Sequence, residues 1–110
     1  MTSDLAKKEC KACDGGTPPL KGDALRQFKN QLGGGWRVVD EQRLEKQFKF
    51  PDFRQALEFT NRIGEIAEEQ GHHPDIFLTY GEVRLQIWTH KINGLAESDF
   101  ILAAKVDAGE

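Results

Sequence analysis

PDFRQALEFTNRIGEIAEEQG, residues 51–71, runs directly into HHPDIFLTYGEVRLQIWTH, residues 72–90, and these two stretches decide the fold. In the first, Phe53, Ala56, Leu57, Thr60, Ile63, Ile66 and Ala67 recur at intervals of three and four. That spacing gathers them on one stripe of a helix, and the stripe needs a core to face. Pro51-Asp52 opens the helix and Gly71 stops it. In the second stretch, Asp75 to Tyr80 and Glu82 to His90 flank Gly81 and read as two strands joined by a turn. Val83, Leu85, Ile87 and Thr89 share one face of the last strand, and Arg84, Gln86, Trp88 and His90 share the other.

Upstream, the pattern echoes loosely. Asp23 is placed to cap a short helix carrying Leu25, Phe28 and Leu32, which Gly33-Gly34-Gly35 ends. Trp36 to Val39 and Arg43 to Phe50 follow, split by the polar Asp40-Glu41-Gln42, and read as a hairpin. Leu44, Lys46, Phe48 and Phe50 alternate with Arg43, Glu45, Gln47 and Lys49, with Lys46 a flaw on the inner face. Downstream, Lys91 to Ala96 reads as a loop. Glu97 to Val106 reads as a last helix carrying Phe100, Leu102, Ala103 and Val106. The order helix, strand, strand, helix, strand, strand, helix predicts an α+β domain: a four-stranded antiparallel sheet with three helices packed on one face. Residues 1–21 stand apart, with adjacent glycines, adjacent prolines and a Cys10-x-x-Cys13 pair. They are expected to form a flexible N-terminal arm before a single domain over 22–110.

With 110 residues there is room for one domain with a modest core, which self-association would enlarge. A formal charge of −3 argues against nucleic-acid binding, which needs a basic face. No apolar run is long enough to cross a bilayer, and Met1 to Lys8 lacks the apolar core of a secretory signal. The expected setting is the cytoplasm, without a membrane partner, where both cysteines stay reduced. Two cysteines are too few for a structural zinc site, and an N-terminal arm is the wrong place for a thioredoxin-like pair. They read as surface thiols, with inter-chain zinc binding or a disulfide as the remote alternatives.

The chain has three histidines, and all fall between residues 72 and 90: His72, His73 and His90. Pro74 restricts His73 to extended backbone. The hairpin brings its second end back toward its first, so the three gather at one end of the sheet. Glu68, one helical turn before His72, is placed to point the same way. Imidazole gives and takes protons near neutral pH, so a cluster of histidines suits acid–base chemistry. Any one of these histidines alone reads as a surface or helix-end residue; the clustering reverses that reading. A zinc ion on three histidines is the competing possibility, although adjacent histidines present their rings to one metal less readily than i, i+2 or i, i+4 pairs. Trp88 shares a strand face with His90 and is placed to stack on a flat ligand. Asp99 lies near the start of the last helix, where its charge suits the dipole.

Glu68-Glu69-Gln70-Gly71-His72-His73-Pro74-Asp75, Tyr80-Gly81-Glu82-Val83, Thr89-His90-Lys91-Ile92-Asn93-Gly94-Leu95 and Asp99-Phe100 together resemble the pterin-4a-carbinolamine dehydratases. The resemblance covers roughly residues 22 to 106, and the Cys10-x-x-Cys13 arm is similar to bacterial members. It implies the same sheet-and-helix fold, a dimer or tetramer, and dehydration of a 4a-hydroxytetrahydropterin left by an aromatic amino-acid hydroxylase. It also implies no metal or cofactor. By position, His72, His73, His90 and Glu68 correspond to the catalytic set, while Thr89, Asp99, Pro74 and Trp88 fall at the substrate-binding positions. Ala96 stands where many members carry Ser or Thr, so the last helix lacks the hydroxyl half of a capping box. Relatives with protein-binding or assembly roles define the alternative reading; those acting as assembly factors tend to lose the histidine cluster. A different pterin is a further alternative.

Overall fold

The computed structural model of the chain describes residues 4–10 and 18–108. Its helices are α1 (Gly22–Lys29), α2 (Phe53–Gln70) and α3 (Glu97–Ala108), and its strands are β1 (Arg37–Val39), β2 (Arg43–Lys49), β3 (Asp75–Thr79) and β4 (Glu82–Ile87). The strands form one antiparallel sheet in the order β1-β2-β4-β3. This is the expected α+β architecture. Leu44, Phe48, Val83, Leu85 and Ile87 point to one face of the central pair and are all buried. Ala56, Phe59 and Ile63 of α2, Phe100 and Leu102 of α3, and Leu25 of α1 close the same core. Lys46 ceases to be a flaw here: its ammonium reaches Asp107 at 2.8 Å and lies over the Trp36 and Phe48 rings, 5.6 and 4.9 Å from their centroids.

The helix stop at Gly71 does more than end α2. Gly71 takes φ 64°, a left-handed conformation that glycine adopts without Cβ strain. Its N–H donates to the Glu68 carbonyl, and the His72 N–H donates to the Ala67 carbonyl at 3.2 Å. These are the two bonds of a Schellman ending, so the device that terminates the helix also fixes where His72 begins.

Several local expectations need correction. Asp23 does not cap α1: the residue before the helix is Lys21, and Asp23 lies inside the first turn, paired with Arg26. The helix ends at Lys29, ahead of the glycines, and hydrogen-bonded turns carry the chain through Leu32. β4 ends at Ile87, and His90 opens a short 3-10 turn, His90–Ile92, instead of ending the strand. A bridge between Thr89 and Gly94 closes that turn. Residues 4–10 of the expected N-terminal arm pack on the domain. There Asp4–Lys7 forms a 3-10 turn, Leu5 is only 1% exposed, and the Lys105 ammonium donates to the Ala6 carbonyl at 2.8 Å. Composition hid this because a single leucine anchors the segment. Cys10 falls within the docked part, and Cys13 lies outside the described residues.

Candidate active site

A cleft of about 450 Å³ opens between the end of α2 and the end of β4, lined by residues 71–75 and 88–91. His72, His73 and His90 all line it, as do Pro74, Trp88 and Thr89. His90 is therefore brought to the same place as the adjacent His72 and His73.

His72 is the most constrained of them. Its Nε2 meets Asp99 Oδ1 at 2.6 Å, and Asp99 is fully buried. The other Asp99 oxygen accepts from the Thr89 hydroxyl and from the Ala96 N–H, both at 2.8 Å. The bond to Ala96 is the return half of a capping box, made although Ala96 lacks the hydroxyl for the forward half. One carboxylate thus ties together the α2 end, the strand extension at Thr89 and the start of α3. A buried carboxylate is tolerated only when its acceptors are filled, and here three donors fill them.

His73 differs. Its Nε2 pairs with Glu68, and both side chains are largely exposed. Glu68 does not line the cleft; it lies beside a separate shallow surface between α2 and Ile76. The sequence thus brings the carboxylate to the right end of the helix, but next to the outer histidine.

His90 packs on Trp88, with ring centroids 4.0 Å apart and planes inclined by 30°. The Trp88 indole N–H donates to Asp75 Oδ2 at 3.2 Å, and the Arg43 guanidinium lies over its ring at 4.9 Å. Trp88 is therefore held by Asp75 and Arg43, with His90 packed on its ring. Asp75 and Lys91 also line the cleft and were not among the residues singled out from sequence. Asp75 could have been found by register: it stands opposite Gln86 on the face that carries Trp88. Among the described residues, no three His, Cys, Asp or Glu side chains converge as a metal shell. No described helix is long and apolar enough to cross a membrane.

The family model for pterin 4 alpha carbinolamine dehydratase matches residues 18–109. A Rubrobacter xylanophilus protein, provisionally named a pterin-4-alpha-carbinolamine dehydratase, is 57% identical over 105 residues, spanning 96% of this chain and 97% of its own. A solved Brucella melitensis structure described as a transcriptional coactivator/pterin dehydratase aligns at TM-score 0.75 with 33% identity, over 82% of this chain and 96% of that one. A pterin dehydratase-like protein solved as a RuBisCO assembly factor in the alpha-carboxysome aligns at TM-score 0.57 with 28% identity, over 67% and 87%. The family match covers everything from the last arm residues to the end of α3, and a relative matches at nearly full length: this chain belongs to the pterin 4 alpha carbinolamine dehydratase family.

Proposed function

We propose that the protein is a hydro-lyase that dehydrates 4a-hydroxytetrahydrobiopterin to quinonoid dihydropterin by histidine acid–base catalysis. In this reaction the proton on N5 leaves, the C4a hydroxyl departs as water after gaining a proton, and a C4a–N5 double bond forms. One group must act as base and another as acid. The observation that carries the reading is the His72–Asp99 pair in a cleft shared with His90. A carboxylate at Nε2 keeps the proton on that nitrogen and leaves the lone pair on Nδ1, ready to accept a proton. His72 and His90 share the acid and base roles in this reading. His73, with Glu68 behind it, helps hold the pterin and polarise the departing hydroxyl. Trp88 and Pro74 contribute flat apolar walls for a bicyclic ring, while Thr89 and Asp99 support His72 from behind. The family membership supports the substrate class.

The activity would return the spent cofactor of an aromatic amino-acid hydroxylase. Catalysis needs no metal in this scheme. We further propose a cytoplasmic dimer or tetramer, which light scattering on the purified protein tests directly. The histidine-rich cleft favours catalysis over a purely scaffolding role, although the solved assembly factor shows that relatives of the fold can serve protein assembly. The test is the decay of 4a-hydroxytetrahydrobiopterin followed by ultraviolet absorbance. Acceleration by the wild type, lost in His72→Ala and His90→Ala, supports the assignment. A His72→Ala protein with full turnover would remove His72 from the mechanism. No acceleration by the wild type would make the scaffold reading the lead.

A further inference from the structure

The N-terminal segment touches the chain at the points that hold the histidines. The Cys10 N–H donates to Gln70 Oε1 at 2.9 Å, and Gln70 lies buried two residues before His72. The Cys10 thiol lies 3.5 Å from the carbonyl of Ser98, the residue before Asp99. Cys10 therefore bridges the end of α2 to the start of α3, the two helix ends that the His72–Asp99 bond also joins. A second contact lies farther along. The Leu20 N–H donates to the Leu95 carbonyl at 2.8 Å, and Pro19 packs so closely on Gly94 that a Cβ there would stand 2.8 Å from the proline Cβ. Gly94 pairs with Thr89 across the turn that carries His90.

We propose that residues 4–10 and 18–20 brace the cleft, with Gln70 as a positioning residue that sets the His72–Asp99 geometry through its bond to the Cys10 backbone. The brace has a remote anchor. Leu5 is buried against the core, and Lys105 holds the Ala6 carbonyl, both away from the cleft. Docking energy gained at Leu5 is thus spent on holding Cys10 against Gln70. A hydrogen bond that fixes a catalytic side chain to within fractions of an ångström affects rate more than affinity. The kinetic part of this inference rests on the dehydratase reading; the part about His72 geometry does not.

Three variants of the full chain test it. Gln70→Met keeps the side-chain volume and removes the acceptor. Gln70→Glu restores an acceptor. Leu5→Ala loosens the anchor without touching the cleft. Two measurements apply to each: the titration and tautomer of every histidine ring by NMR, and kcat and KM across pH. Gln70→Met and Leu5→Ala should move the His72 ring signals and their titration while leaving His73 unchanged. They should lower kcat by about 5- to 30-fold with KM within about twofold, and shift the pH profile of kcat. Gln70→Glu should recover most of the lost kcat. If both disruptive variants only lower the melting temperature, with His72 signals and the pH profile as in wild type, the segment is structural and the proposal fails. If the wild type shows no dehydratase activity, the functional reading falls, and the His72 titration still decides whether the brace exists.

Discussion

Two histidine–carboxylate pairs sit side by side, one residue apart in sequence, in very different surroundings. His72 and Asp99 have side-chain exposures of 16% and 0%; His73 and Glu68 have 60% and 79%. The inner pair spans 27 residues and is held by a carboxylate whose other oxygen takes a hydroxyl and a backbone N–H. The outer pair spans five residues and is bathed in water. Equal chemistry on paper becomes unequal in fact, because a water-exposed ion pair contributes little and fixes little, whereas a dry one holds a single geometry. The pair formed across the fold is largely buried and tied to several donors, and the pair formed within one local stretch lies exposed.

The contrast breaks first at Asp99. Asp99→Ala leaves the Thr89 hydroxyl, the Ala96 N–H and His72 without their shared acceptor. It should destabilise the protein by roughly 2–4 kcal/mol and lower kcat by on the order of 10²–10³-fold. Denaturant titration and pterin turnover measure the two effects, and a loss of stability with full turnover would strip the inner pair of its catalytic meaning. Half-buried Cys10 lies beside the start of α3, next to this pair. Burial, reinforced by the Asp99 charge and partly offset by Lys105, pushes the thiol up to about 11. At pH 8 that leaves about 10²-fold less thiolate than an unburied cysteine would have. Site-resolved mass spectrometry should therefore find Cys10 slow to react with iodoacetamide, and faster in Asp99→Asn.

The outer pair should respond far less. Glu68→Gln should change kcat by no more than about threefold and leave the melting temperature within about 1 °C; a loss as large as that of Asp99→Ala would erase the distinction. A third carboxylate sharpens it from the opposite sheet face. Glu45 accepts from Gln86 at 2.8 Å and pairs with Arg37, and these contacts hold its carboxyl below the usual range despite burial. A depressed carboxyl stabilises the fold above its unfolded value of about 4.3 and loses that contribution as pH falls through its folded value. Urea midpoints measured from pH 6 to pH 3 should thus fall less steeply in Glu45→Gln than in wild type. A slope unchanged by the substitution would remove Glu45 from the acid response.

The layers of the fold were legible because periodicity reports which face is dry: the β4 alternation survives into the structure, and the α2 stripe survives at Ala56, Ile63 and Ala67, while Phe53 and Leu57 are exposed and Phe59 is buried in their place. The clustering of His72, His73 and His90 was legible for a related reason, since a hairpin returns its second end to its first. The partner of each histidine was not. Glu68 was the local candidate and pairs with the exposed His73, while Asp99 looked like a dipole partner because nothing in one dimension shows a helix start meeting a helix end. Asp75 was missed for want of a sheet register. The docked Leu5 segment was missed because one leucine among charged residues carries no periodicity.

The stacking of Trp88 on His90 gives the protein an optical reporter of its own. Protonation of an imidazole 4.0 Å from an indole is expected to dim that indole's emission. The other tryptophan, Trp36, is buried at 3% exposure with its N–H bound to Asp107, and is placed to serve as a steady internal reference. The ratio of the two emissions would then follow the charge on His90 in unlabelled protein. Trp88→Phe should abolish the pH-dependent part, turning a wall of the cleft into a meter for one of its protons.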